Sequence, residues 1–118
     1  MKKKQELGIY VHIPFCEKKC DYCDFLSGPA NNKTKDNYIR AILNEIKSYK
    51  ELMQEYLVKT IFIGGGTPSS IQAEYIAKTL EAIEKSFIVQ AEEVTIEVNP
   101  SSITRDKLLT YKEYGVNR

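Results

Sequence analysis

Apolar residues alternate along this chain between short runs and longer stretches of helical period. Ile9 to Ile13 is a short β-type run, with Tyr10 and His12 on one face and Val11 on the other. Residues 27–35 carry Gly28, Pro29, Asn31 and Asn32 and read as a loop. Residues from about 36 to 57 predict a helix, because Ile39, Leu43, Ile46, Lys50 and Met53 fall at spacings of three and four. On that helix Tyr49, Met53, Tyr56 and Leu57 read as core packing. Thr60-Ile61-Phe62-Ile63 is a short apolar run ending in Gly64-Gly65-Gly66, as expected of a strand covered on both faces. Residues from about 70 to 87 predict a second helix with Ile76, Leu80, Ile83 and Phe87 on one stripe, and Thr67, Ser69 and Ser70 offer N-cap oxygens. Residues 93–98 alternate, with Val94, Ile96 and Val98 on one side and Thr95 and Glu97 on the other. A third helix is expected over about 104–114, with Gly115 as its C′ residue.

The predicted order is β-α-β-α-β-α, an α/β fold of three successive strand-helix units. Alternation at this spacing argues for parallel strands with right-handed crossovers. Three strands are too few to close a barrel. Val116-Asn117-Arg118 follows Gly115, where a fourth strand is expected to begin. Residues 1–118 are therefore expected to be the N-terminal portion of a single larger domain. Such a piece in isolation is expected to be marginally stable or to aggregate, because it exposes sheet edge and apolar surface.

Composition narrows the class. The 118 residues are 42% hydrophobic and 28% charged, which excludes a disordered tail or a collagen-like repeat. Seventeen Lys and Arg face sixteen Asp and Glu, so charge gives no case for a nucleic-acid partner or an anionic membrane. No apolar stretch approaches the roughly 20 residues of a transmembrane helix. The lysines at positions 2–4 are followed by Gln5-Glu6-Leu7-Gly8, which is no continuous apolar segment, so they read as a frayed terminus rather than an export signal.

The chain has three cysteines, Cys16, Cys20 and Cys23, in a CxxxCxxC spacing. An odd number cannot form a closed disulfide framework, and without an export signal the expected compartment is the reducing cytoplasm, where clustered thiols point to metal. Structural zinc normally takes four ligands, usually as two separated pairs. Cubane iron–sulfur clusters are held by Cys thiolates, and three ligands to four irons leave one iron open for a substrate. A zinc site completed elsewhere stays as the alternative. His12, the one histidine in the sequence, reads as a hydrogen-bonded structural residue. Lys18 and Lys19 read as solvated.

CxxxCxxC after a short strand, with an aromatic at Tyr22, resembles the signature of the radical S-adenosylmethionine (SAM) enzymes. The flanks narrow the resemblance. Tyr10-Val11-His12-Ile13-Pro14-Phe15-Cys16, Cys20-Asp21-Tyr22-Cys23-Asp24-Phe25, Ile61-Phe62-Ile63-Gly64-Gly65-Gly66-Thr67-Pro68-Ser69 and Ile96-Glu97-Val98-Asn99-Pro100 resemble the oxygen-independent coproporphyrinogen III oxidase family, over nearly the whole chain and in order. The family's fold implies that the three units are the front of a partial (β/α)6 TIM-like barrel.

The family holds both a decarboxylase of coproporphyrinogen III and a heme chaperone that passes heme to acceptor proteins. The oxidase pattern carries a further Cys two residues after the third cluster Cys, where this sequence has Phe25. That departure points to the heme-chaperone branch and leaves enzymatic activity open. The resemblance implies a 4Fe-4S cluster on Cys16, Cys20 and Cys23. It implies SAM contacts from Tyr10, Tyr22, Gly65, Gly66, Thr67 and Glu97. It further implies heme or a porphyrin, and heme-acceptor proteins, as partners.

The residues agree with that placement. The cysteine loop, the glycine run and Glu97 all fall at the carboxyl ends of predicted strands, where α/β folds place ligands. The glycines lack Cβ atoms and let a ligand approach the backbone; on their own they also fit a tight strand-to-helix turn. They lack the Gly-Lys-Ser/Thr ending of a phosphate loop. Glu97 offers a hydrogen-bond acceptor, or reads as a solvent-exposed strand residue.

Overall fold

The computed structural model describes residues 4–15 and 32–118. Three strands and three helices alternate: β1 (Gln5–Ile13), α1 (Asn32–Ser48), β2 (Tyr56–Gly65), α2 (Ala73–Ser86), β3 (Val89–Ile96) and α3 (Arg105–Glu113). The strands form one parallel sheet in the order β1-β2-β3. This is the βαβαβα arrangement that the hydrophobic pattern predicts.

Register sorts the side chains. Ile9 pairs with Ile61 and Val11 with Ile63, and these in turn pair with Val94 and Ile96. That row faces the helices and supplies the core together with Ile39 and Ile46 of α1 and Ile76, Leu80 and Ile83 of α2. In α1 the apolar side chains recur at 39, 42, 43 and 46, and in α2 at 76, 80 and 83. Each therefore presents one stripe to the sheet. Side chains one residue along point the other way, because the strand period is two. Tyr10, Phe62 and Thr95 form one cross-strand row on that second face. Tyr10 is 57% exposed and Phe62 40%, so among the described residues β2 is covered on one face only and not on both, as its apolar run suggests, because both α1 and α2 pack on the Ile61 and Ile63 side.

Three boundaries differ from the sequence reading. The long first helix stops at Ser48, and a short 3-10 turn (Leu52–Glu55) leads into β2 at Tyr56. Tyr56 and Leu57 thus lie in a strand, and Tyr49 is 47% exposed rather than part of the core. The cause is pairing: Gln5, Glu6 and Leu7 hydrogen-bond across to Tyr56, Leu57 and Val58, which outweighs the helical spacing. The predicted loop over 27–35 gives way to helix from Asn32. β3 begins at Val89 and ends at Ile96, which leaves Val98 45% exposed instead of on the buried side.

Helix ends follow local chemistry in one case and not in another. Thr104 caps α3, its side chain accepting from the Lys107 amide, and Gly115 follows that helix with φ +100°. The expected caps of α2 do not form: Gln72 occupies the N-cap without a side-chain bond, and a 3-10 turn (Pro68–Ser70) precedes it. Beyond α3 the backbone returns to the sheet. The Asn117 amide donates to the Val94 carbonyl (2.9 Å) and the Ile96 amide to the Arg118 carbonyl (3.1 Å). Those bonds place residues 117–118 beside β3, on the side away from β2.

A candidate cofactor site at the carboxyl ends of the strands

The carboxyl ends of the three strands are laced together. The Gly66 amide donates to the Ile13 carbonyl (2.8 Å), and the Thr67 amide donates to the Phe15 carbonyl (2.6 Å). The Glu97 amide donates to the Ile63 carbonyl (3.0 Å), and its carboxylate Oε1 accepts from the Gly65 amide (3.0 Å). Gly65, Gly66, Thr67 and Glu97 are therefore brought together by direct bonds. Glu97 itself is exposed. It keeps a second carboxylate oxygen, and an ionised carboxylate accepts several hydrogen bonds.

The glycines have a reason that the sequence reading did not supply. Gly65 has φ +115°, and a Cβ there would lie 2.6 Å from His12 Nδ1 and 3.0 Å from the Ile13 carbonyl oxygen. A Cβ on Gly66 would lie 2.7 Å from the Phe15 carbonyl oxygen, and one on Gly64 would strike the Glu97 carboxylate and Phe62. The gaps are filled by the protein's own atoms. The missing side chains let β2 turn tightly against the end of β1 and against Glu97.

Tyr10 and His12 share the uncovered face, with the Tyr10 hydroxyl 3.0 Å from His12 Nδ1. Tyr10 also stacks on Phe62, ring centroids 5.8 Å apart and 21° between planes. Tyr38 of α1 closes the free edge of β1, donating its hydroxyl to the His12 carbonyl (2.5 Å). Burial, then Glu45 and Tyr10, push the Tyr38 phenol up from its usual range, so it stays a donor there. The Tyr38 ring meets Phe15 edge-on at 5.3 Å, which anchors the residue immediately before Cys16.

Cys16, Cys20, Cys23 and Tyr22 lie outside the described residues, as do Lys18, Lys19 and Phe25. Phe15 nevertheless shows where the cysteine segment departs: at the carboxyl end of β1, bonded to Thr67. Among the described residues, no three His, Cys, Asp or Glu side chains cluster as metal ligands, and no helix is long and apolar enough to cross a membrane.

A sequence profile of the Radical SAM superfamily matches residues 10–118. The chain belongs to the radical SAM superfamily. Membership implies a 4Fe-4S cluster and SAM. Three thiols in eight residues, beginning three residues past the end of β1 and directly after the anchored Phe15, are the donor set such a cluster takes. As a radical SAM protein the chain is similar to the heme chaperone HemW of Escherichia coli K12, 38% identical over 120 residues, covering 100% of this chain and 32% of that protein. It is likewise 38% identical over 111 residues to HemW of Bacillus subtilis 168, covering 92% and 29%. Danio rerio radical S-adenosyl methionine domain-containing protein 1, mitochondrial, is 36% identical over 114 residues, covering 96% and 26%. The solved structure of E. coli coproporphyrinogen III oxidase, HemN, described as a radical SAM enzyme, aligns with a TM-score of 0.85 at 32% identity. That alignment covers 99% of this chain and 27% of the oxidase. The chain thus spans about a third of the length of the curated relatives it matches.

Proposed function

We propose that this chain forms the cluster- and SAM-binding front of a heme chaperone. The observation that carries the reading is the knot of bonds joining Phe15, Gly66, Thr67, Gly65 and Glu97. It holds the departure point of the cysteine segment, the glycine turn and a free carboxylate oxygen at one end of a parallel sheet. In this reading Cys16, Cys20 and Cys23 hold the cluster. Glu97 accepts hydrogen bonds from the amino group of SAM, and the backbone of Gly65, Gly66 and Thr67 borders the ligand. Tyr10 and Tyr22 shield it from water. When bound, the cluster supplies an open iron and an electron. The protein's share is to bind, orient and exclude solvent.

Heme as cargo, and proteins that accept it, follow from likeness to the chaperones together with Phe25 in place of the oxidase's extra cysteine. A second reading, decarboxylation of coproporphyrinogen III, is favoured by the structural likeness to the oxidase. Anaerobic reconstitution of the full-length protein tests both. About four irons per chain are expected, together with a SAM-dependent change in the cluster's EPR spectrum and heme binding without porphyrinogen turnover. Iron retained after replacement of all three cysteines, or one zinc with no iron, overturns the cluster assignment. Turnover of coproporphyrinogen III replaces the chaperone reading with the oxidase.

A further inference from the structure

Behind the site, three segments meet on one ammonium group. Lys107 of α3 donates from Nζ to the Ser69 carbonyl (2.5 Å) and to the Ser102 carbonyl (3.1 Å). Ser69 is fully buried and Ser102 nearly so, with their hydroxyls 2.6 Å apart. The Asn99 amide donates to Ser69 Oγ (2.9 Å), and the Ser102 and Ile103 amides both donate to the Asn99 carbonyl (3.0 Å each). Ser69 lies in the turn that continues the glycine run, and Asn99 is two residues past Glu97. The junction therefore spans the two segments that carry the proposed SAM contacts.

The chemistry of the junction is unusual for mere packing. Both partners of the ammonium are neutral carbonyls, and no carboxylate among the described residues pairs with it. Holding a partly buried cation on carbonyl oxygens costs desolvation that an apolar side chain would avoid. What the cation adds is direction, since an ammonium carries three donors and charge-assisted bonds are the strong ones. Two of those donors cross-link carbonyls 33 residues apart in sequence.

We propose that Lys107 is a positioning residue. By tying Ser69 to Ser102 it sets the distance between the turn at residues 65–67 and the Glu97 carboxylate. It does so without touching the ligand. The ligand's identity rests on the function proposed above; the cross-link does not.

The test uses the full-length protein and the variants Lys107→Met and Lys107→Arg. Hydrogen exchange is followed at the Gly65, Asn99 and Ser102 amides, and SAM affinity by EPR titration of the cluster. Lys107→Met is expected to speed exchange at these amides by about tenfold. It is also expected to weaken SAM about tenfold, with iron content and the exchange of β1 and α2 unchanged. Lys107→Arg, which can still donate to both carbonyls, should recover most of both losses. Exchange and SAM affinity equal to wild type in Lys107→Met overturn the proposal, as does faster exchange spread evenly over the whole sheet. Should Lys107→Met fail to fold, Lys107→Gln, uncharged and one atom too short to span both carbonyls, takes its place, and wild-type exchange at Asn99 and Ser102 in that variant is equally fatal. If the wild type takes up no SAM, the function proposed above has failed, and the exchange measurements still decide the role of Lys107.

Discussion

Gly65 and Gly115 make a matched pair, because both have positive φ and only one is crowded. Gly65 has φ +115° and Gly115 has φ +100°. A Cβ on Gly115 meets nothing within 4 Å, whereas one on Gly65 would meet the His12 ring at 2.6 Å and the Ile13 carbonyl oxygen at 3.0 Å. Alanine at either position incurs backbone strain of about 1–3 kcal/mol. Lower entropy of the unfolded chain returns roughly 0.4–1 kcal/mol. Gly115→Ala is therefore expected to cost roughly 0.5–2 kcal/mol. Gly65→Ala adds overpacking of about 1–3 kcal/mol. The exposed His12 ring can swing aside, which sacrifices its bond to Tyr10. The Ile13 carbonyl is backbone in the sheet and cannot. The difference between the variants should thus be about 1–3 kcal/mol, and urea denaturation of the apoprotein followed by circular dichroism reads it. With an m-value of about 2 kcal/mol/M, the Gly65→Ala midpoint should lie roughly 0.5–1.5 M below that of Gly115→Ala. A Gly65→Ala midpoint at or above that of Gly115→Ala would refute the claim that protein atoms occupy the gap at Gly65.

Three further outcomes are expected. Among the described residues the buried Tyr111 hydroxyl has no partner, so Tyr111→Phe should be neutral or stabilising by about 1 kcal/mol in urea melts. Burial pushes the Tyr111 phenol from 10.0 up to about 12. Its contribution is therefore complete below pH 10 and lost between about pH 10 and 12, as the unfolded chain ionises first. Tyr111→Phe should flatten that alkaline loss, and an unchanged slope above pH 10 counts against it. Thr104→Ala removes the acceptor of the Lys107 amide (3.1 Å) and should cost about 1 kcal/mol, seen as faster exchange in the first turn of α3. Glu97→Gln keeps an oxygen for the Gly65 amide but loses the charge. It should leave the melt within about 0.5 kcal/mol and weaken SAM at least about tenfold, the scale of a charge-assisted bond, whereas equal SAM affinity would remove Glu97 from the site.

The order of elements and the face of each were legible along the chain. Two periods, two residues and 3.6 residues, are local properties of consecutive side chains, and they marked β1, β3, α1 and α2, whereas β2 showed as an unbroken apolar run and α3 by the glycine that follows it. They also placed Tyr10 with His12, and Glu97 opposite Ile96. The convergence of the glycine turn and Glu97 followed from topology alone, since parallel strands bring their carboxyl ends to one edge. Boundaries were less legible. Met53, Tyr56 and Leu57 fit a helical stripe, and only the partner strand at Gln5 to Leu7 turned Tyr56 and Leu57 into β-structure.

Ser69 shows the limit most clearly. Its place before a helix suggests a cap, yet its hydroxyl bonds Ser102 and the Asn99 amide, some 30 residues away. Lys107 carries no motif: it is one of two lysines on a nine-residue helix, and the nearest signal was a serine in each of the two loops it joins. The sequence by itself determined the alternation, the two-faced sheet and the edge where ligand-binding groups gather, because those depend on neighbours along the chain. Tertiary structure alone decided which atoms fill the space left by Gly64, Gly65 and Gly66, and which carbonyls Lys107 holds. Both depend on where distant segments meet once the helices have packed, and a one-dimensional pattern carries no record of distances across the fold.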